Sequence, residues 1–521
     1  MKKEAHNQEI EERYQALFSN AAAVKALTQA VSNSLGPKGL DTMLVDRFGE
    51  VVVTNDGVTI LTLMDAQHPA ARMIVNMARA QEREVGDGTT TATVLAGALV
   101  SEGINQILKG VPVAKVLAGM TKALNYALVL IKKNALKINS IRDNKLCDAA
   151  CIAARGDARV SQIIWEAAIL LEDKLNDPGF KLGDLVLAKV GATTSLIPGV
   201  VINKSPLWED GSKKITEVKL LVLDDGLYPE EIEGEALSSE AGFAQYLNNQ
   251  KVFQENLYKL KQLGVNLVVL TRGISDIAEE FCYENDIMVI TRITQKELKR
   301  LLEFTGARSA KRTSLNKPSA ELKKLLGFAK TAFYDAKLAM TVIEGGAGKP
   351  TATVLIGAAT DEVVDEQERI AKDAAGSFAA AYRSGVLPGG GSFLLFLSRE
   401  VEGLKNQVSG MESYGVMAFA EALKAPFRIM AENAGFNGLE KLGDLMTLQV
   451  QKDNFALGLD FETGEAADML EKEVVDPAEV VYQAVKNASE VAISLLKINT
   501  IIKMKDYEVL KEGEQEDGGK R

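Results

Sequence analysis

The stretch VGDGTTTATVLAGAL, residues 85–99, joins a glycine-rich turn to the start of an apolar, Ala- and Leu-rich helix. Glycines let successive backbone N–H groups point at one anion, and a helix start adds the positive end of its dipole. Thr89, Thr90 and Thr91 place hydroxyl donors beside those amides, and Asp87 puts one carboxylate next to any bound phosphates. Mg2+ is typically held by one or two carboxylates together with phosphate oxygens and water. The turn thus has the parts of a phosphate site. The same residues suit a plain N-capping turn, because Asp and Thr both cap helices well. Taken alone, the stretch leaves both readings open.

Three further glycine turns lie along the chain: Leu35-Gly36-Pro37-Lys38-Gly39, Thr54-Asn55-Asp56-Gly57 and Pro388-Gly389-Gly390-Gly391. The first stops a helix whose buried face is marked by Leu17, Ala21, Val24, Leu27, Val31 and Leu35 at three- and four-residue steps. The second follows a short strand over 51–54 and adds a second carboxylate, Asp56. Further helices are expected over 69–84, 89–109 and 113–135. From about residue 200 the pattern changes. Apolar runs at 220–223, 266–270 and 287–290 alternate with helical stretches near 240–263, 275–285 and 294–304, which reads as an α/β domain with a largely parallel, buried sheet. Long helices return at 366–385, 413–434 and 477–497. The tail from Lys511 has the Glu-, Gly- and Lys-rich composition of a disordered segment. The two helical ends are either separate domains or halves of one domain with the α/β part inserted, and periodicity does not distinguish these.

With 521 residues the chain exceeds the size of one core, since cores stop growing near ~250–300 residues. A content of 46% hydrophobic and 25% charged residues is globular, and a net charge of −11 argues against general nucleic-acid binding, which needs a basic surface. No run approaches the ~20 apolar residues of a membrane span and the polar N-terminal segment has no signal core, so a soluble cytoplasmic protein is expected. Three cysteines make no disulfide framework; Cys147 and Cys151, one helical turn apart, read as core residues, and Cys282 stands alone. Gly345-Gly346-Ala347-Gly348-Lys349 is followed by Pro350 where a P-loop needs a hydroxyl, and reads as a turn. Asp365, Glu366, Gln367, Glu368 and Arg369 read as a solvated helix start.

In their order along the chain, SLGPKGLDTMLVD (34–46), VVVTNDGVTIL (51–61), HPAARMIV (68–75) and VGDGTTTATVLAGAL (85–99) resemble the N-terminal region of chaperonins. VVDEQERIAKDA (363–374), LPGGGSF (387–393), FAEALKAPFRIMAENAG (419–435) and ADMLEKEVVDP (467–477) resemble the matching C-terminal parts. The resemblance covers nearly the whole chain. It is nearer to the archaeal and eukaryotic-cytosolic group II chaperonins, the thermosome kind, than to the bacterial group I proteins with a separate lid; Asn55 in TNDG and the whole of HPAARMIV are group II-like. Two departures point to the bacterial archaeal-like branch, group III. The region DAACIAARGDARV (148–160) is about two residues short and lacks the γ-phosphate-sensing Lys usual there, so that Arg155 replaces it or the sensor is lost. Asp476 stands where group II chains mostly have Glu.

The resemblance implies a multidomain α and α/β chaperonin fold. A mostly helical equatorial domain (1–138 and 389–521) would bind ATP, a small α/β intermediate hinge (139–199 and 352–388) would follow, and an inserted α/β apical domain (200–351) would face substrate and carry a built-in lid near 239–263. It implies hydrolysis of ATP with Mg2+, a homo-oligomeric double ring and non-native polypeptides as partners, with no separate co-chaperonin lid, nucleic acid or membrane. Residue roles follow from the matching motifs. Leu35, Gly36 and Pro37 would shape the nucleotide loop, and Asn55 and Gly57 would line it beside Asp56. Asp87 would hold the metal, with Gly88, Thr89, Thr90 and Thr91 around the phosphates. Asp56 and Asp373 would hold and activate the attacking water. Gly390 would pack on the ribose and base, Asp476 would accept a ribose hydroxyl, and Asp460 would lie near the adenine. Two rivals stand beside this reading: an ATP-driven scaffold without a folding role, which would not refold a denatured enzyme, and a small-molecule kinase, which would phosphorylate a metabolite.

Overall fold

A computed structural model describes residues 2–177, 179–208, 214–231 and 239–502; the tail from Lys511 lies outside these described residues. The chain forms two compact units, Met1–Ile138 with Ser384–Arg521, and Asn139–Arg383.

In the first unit, Leu17, Val24, Leu27 and Val31 of the helix Lys2–Ser32 are buried, as their spacing requires. They share one core with Ile74 of Pro69–Val85, Leu95 of Thr89–Leu108 and Met120 of Val113–Asn134. From the far end of the chain come Phe393 of Ser392–Gly403, Phe419 of Glu412–Ala422 and Val485 of Ala478–Lys497. The apolar faces of both ends bury one another, so the ends are halves of one domain. A short antiparallel pairing of Val386–Pro388 with Val475–Pro477 also ties this unit, with Leu387 opposite Asp476. Val113–Asn134 is, among the described residues, the one helix long and apolar enough to cross a membrane; it buries Val116, Met120, Ala123, Ala127 and Ile131 in this core. The helix expected over 413–434 is instead two, Glu412–Ala422 and Ala425–Asn433. Pro426, which has no N–H to continue a ladder, occupies the first turn of the second.

In the second unit a three-stranded sheet has Thr353–Ala358 at its centre, parallel to Val186–Val190 and antiparallel to Ser195–Ile197. A six-stranded sheet runs in the order Gly199–Ile202, Met340–Glu344, Gly327–Asp335, Lys214–Leu223, Leu267–Leu270, Met288–Ile290. Only the last three strands are mutually parallel; the other neighbours are antiparallel. This corrects the largely parallel sheet expected above. Buried strands leave continuous apolar runs, but Gly327–Asp335 alternates buried and exposed positions. It also returns into Met340–Glu344 through a tight turn in which Asp335 accepts the amides of Lys337 and Leu338. A tight turn joins strands only antiparallel.

The Gly345–Lys349 segment is a turn, its Gly348 and Lys349 amides donating to the carbonyls of Phe304 and Glu303 at 2.8 Å each. Cys147 and Cys151 are half-buried rather than core residues, and Cys282 is buried. The long helix of this unit, Glu240–Gln262, is two-natured. Phe253, Leu257 and Leu260 are buried, whereas Phe243, Tyr246 and Leu247 are exposed.

Candidate active site

The helix Thr89–Leu108 starts at Gly88, with φ +78, a residue with no side chain to cap it. Asp87 turns its Oδ1 to the Gly88 amide at 2.6 Å, and the Thr89 hydroxyl donates to Asp56 Oδ1 at 3.4 Å. Glycine is required at 88 twice over: the backbone is left-handed, and a Cβ would sit 2.7 Å from Val480 Cγ1. Gln81, fully buried, holds the turn from beneath. Its Nε2 donates to the carbonyls of Asp87 (3.0 Å) and Val480 (3.3 Å), and its Oε1 accepts from Asn487 Nδ2 (3.0 Å). Sequence reasoning passed over Gln81 and Asn487. The available signal was a polar residue on the buried stripe of Ile74, Ala78 and Val85.

Asp56 caps the helix Gly57–Leu63, its Oδ2 accepting the Thr59 amide at 2.8 Å and the Thr59 hydroxyl at 2.7 Å. The close approach of Gly57 to Thr90, where a Cβ would fall 2.5 Å from Oγ1, brings this turn against the start of Thr89–Leu108. Asn55 and Asp56 are half-buried there. In the first turn, the carbonyls of Ser32 and Leu35 both accept from Asn433 Nδ2 at 2.9 Å. Leu35 packs in a cluster with Val94, Phe427, Met430 and Phe461, which seats Gly36 and Pro37 near the same helix. The fourth turn ends at Gly391, which begins Ser392–Gly403, again without a side-chain cap. Gly390 faces Met469 and Phe461, and Gly389 lies beside Asp476. All four turns of the first unit thus gather at two helix starts, each led in by a left-handed glycine, with Asp56 and Asp87 beside one of them.

Asp460 is engaged in closing a turn. Its Oδ1 accepts the Glu462 amide at 2.9 Å and its Oδ2 meets Lys472 Nζ at 3.1 Å. The amide first, then the lysine, hold its carboxyl below the usual range. Asp476 is the opposite case: burial first, and the nearby Asp87 second, push its carboxyl up to about 7. In the unfolded chain an Asp titrates near ~4, so between that pH and about 7 the folded state binds more protons. The stability this group contributes is therefore greatest at low pH and falls as pH rises through that window. Asp476→Asn is expected to flatten the dependence. Thermal midpoints without nucleotide, measured from about pH 5 to about pH 8.5, should rise for the variant relative to wild type at the alkaline end. Parallel profiles would show that Asp476 is already ionised.

Asp373 lies in the second unit, on the helix Asp361–Ser384. The acidic run before it is not the solvated helix start expected: Glu366 and Arg369 are mostly covered and ion-paired, and Arg369 also donates to Asp373. Arg155 pairs with Glu366 at 2.7 Å.

A discontinuous helical domain whose glycine turns meet at two helix starts, with an inserted α/β part, has the build of an ATP-binding chaperonin subunit. The model of the TCP-1/cpn60 chaperonin family matches residues 27–506, and the chain belongs to that family. It is 34% identical to a thermosome subunit of Pyrococcus abyssi, over 96% of this chain and 93% of that protein. Thermosome subunit 1 of Haloferax volcanii is also 34% identical, over 96% and 91%. A crystal structure of a group III chaperonin in the open state is 83% identical, covers 95% of this chain and 100% of its own, and superimposes with a TM-score of 0.88. The chain has the function of this thermosome-type branch: an ATPase that folds proteins in an ATP-driven double-ring cage with a built-in lid.

Proposed function

We propose that the four glycine turns form the nucleotide site, that Asp87 holds Mg2+ there, and that copies of this one chain build the double ring. The observation carrying the site is the pair of glycine-led helix starts, Thr89–Leu108 and Ser392–Gly403, within one glycine-lined cradle. Leu35, Gly36, Pro37, Asn55, Gly57 and Gly390 shape it, and Gly88 to Thr91 receive the phosphates. Among the described residues no group of three or more His, Cys, Asp or Glu could hold a metal on its own. That suits an ion arriving with nucleotide and completing its shell from phosphate oxygens, water and one or two carboxylates. Asp56 and Asp373 orient the attacking water, Asp476 meets a ribose hydroxyl and Asp460 lies toward the adenine. Asp373 belongs to a different compact unit from Asp87.

In this reading 1–138 with 389–521 is the equatorial domain, 139–199 with 352–388 the hinge, and 200–351 the apical domain whose helix Glu240–Gln262 carries the lid. The hairpin Thr42–Val45 with Val51–Thr54 supports assembly. It exposes Met43, Val45, Phe48, Val51, Val52 and Val53, and an isolated two-stranded hairpin is marginal without further strands. A soluble, cytoplasmic ring acting on non-native chains, without a separate lid protein, completes the proposal.

Asp87→Ala tests the site. Titration calorimetry with Mg2+-ATP is expected to show affinity weakened about tenfold or more, a loss of one charge-assisted contact. Unchanged affinity would leave Asp87 as a turn residue only. Refolding of a denatured enzyme with and without ATP separates a folding machine from a scaffold.

A further inference from the structure

Glu366, Arg369 and Asp373 stand at i, i+3 and i+7 on one face of the helix Asp361–Ser384. Arg369 donates through Nε to Glu366 Oε2 at 3.0 Å and through Nη2 to Glu366 Oε1 at 2.8 Å. Its other terminal nitrogen, Nη1, donates to Asp373 Oδ2. One planar guanidinium therefore fixes two carboxylates relative to each other. A fourth charge comes from 211 residues away in sequence: Arg155 Nη2 donates to Glu366 Oε1 at 2.7 Å. The side chains of Arg369, Glu366 and Asp373 are only 17%, 18% and 26% exposed, so solvent screens them less than an ordinary surface pair. Arg155 occupies a left-handed conformation, φ +56, beside Gly156 at φ +85. An L side chain adopts that conformation only under constraint. Here the turn is fastened by the Arg155 and Gly156 amides, which donate to the carbonyls of Ile152 and Cys151.

We propose that Arg369 is a positioning residue for ATP hydrolysis, and that Arg155, acting through Glu366, keeps Arg369 on Asp373. This rests on Asp373 being the water-activating carboxylate. Such a carboxylate works only if it is charged and held in one orientation. Arg369 offsets the cost of the half-buried charge and fixes the plane of the group. Glu366 competes with Asp373 for the same guanidinium. Arg155 neutralises Glu366 and so weakens that competition. Without Arg155, Glu366 loses one cation among its described partners and draws harder on Arg369.

The test is steady-state ATPase kinetics on intact rings. Asp373→Asn examines the underlying reading: turnover at a tenth of wild type or more would remove the catalytic assignment itself. With that variant inactive, Arg369→Met is expected to lose about 10–100-fold in kcat with KM within about threefold, and Arg369→Lys to regain part of the loss. Arg155→Met is expected to lose about three- to tenfold in kcat alone. Adding Glu366→Gln to Arg155→Met should restore turnover, because the competing charge is gone as well. A merely structural ion pair would lower thermal stability and leave kcat unchanged. A loss in kcat below about threefold for Arg369→Met, with Asp373→Asn inactive, overturns the proposal. Should Arg369→Met fail to assemble, Arg155→Met with and without Glu366→Gln decides: a double variant no faster than the single one overturns it.

Discussion

Asp373→Ala is expected to lower the rate of ATP hydrolysis by ~10²–10⁴ while ATP binds within a few-fold of wild type. Phosphoryl transfer to water asks a protein mainly for positioning and charge stabilisation, so the loss of one water-orienting carboxylate removes most of the rate. Binding is spared because the proposed phosphate and metal contacts, Gly88 to Thr91 and Asp87, belong to the other compact unit. Folding is spared too. Arg369 keeps its two hydrogen bonds to Glu366, which still pair its charge when the contact to Asp373 is lost. The variant should therefore assemble, take up nucleotide and stall, which phosphate release and nucleotide affinity measured on the same preparation would show. Turnover above a tenth of wild type would return Asp373 to the role of a helix ion-pair partner. Product analysis on the wild type also disposes of the kinase alternative, since only inorganic phosphate should accumulate.

What the sequence made legible is what local spacing encodes. The buried stripe from Leu17 to Val31 and the glycine turns flanking Asp56 and Asp87 were all readable, because helix periodicity and left-handed glycines act within a few residues. Three things were not. The antiparallel strand Gly327–Asp335 has no continuous apolar run, so only the three strands that are in fact parallel were read and the sheet looked largely parallel. The break between Glu412–Ala422 and Ala425–Asn433 left the apolar periodicity intact, and only Pro426 marked it. The ion chain from Arg155 to Asp373 joins residues brought together by tertiary packing, so the acidic residues before Arg369 looked like solvated charge. The site itself was half legible: the turns were visible one at a time. Their meeting depends on Gln81 and Asn433, two amides whose partners lie hundreds of residues away in sequence.

Removing residues 242–251 should leave rings and ATPase activity but abolish ATP-driven encapsulation and the refolding that depends on it. An ordinary crossover helix would bury one apolar face along its whole length. Glu240–Gln262 does so only at its root, where Phe253 is 4% and Leu257 1% exposed, whereas Phe243 and Leu247 are 55% and 53% exposed. Phe243 and Tyr246 stack on each other, with ring centroids 6.4 Å apart, rather than on a core. Each large apolar side chain left in water forgoes ~1.5–3 kcal/mol of burial, a gain that tips docking together on closure would recover. The same split sets the limit of the deletion. Cutting past Val252 would remove Phe253 from its core, and losing such a side chain costs ~3–5 kcal/mol and would confuse closure with folding. It also sharpens a proteolysis test. Lys251 is exposed, while Lys259 is half-buried at the root and bonded to Asn256 Oδ1 at 2.9 Å. Cleavage at Lys251 should be rapid without nucleotide and suppressed by an ATP transition-state mimic, with Lys259 resistant in both states. Equal cleavage at Lys251 in the two states, or refolding that survives the deletion with no added partner, would mean that this segment does not close the cage.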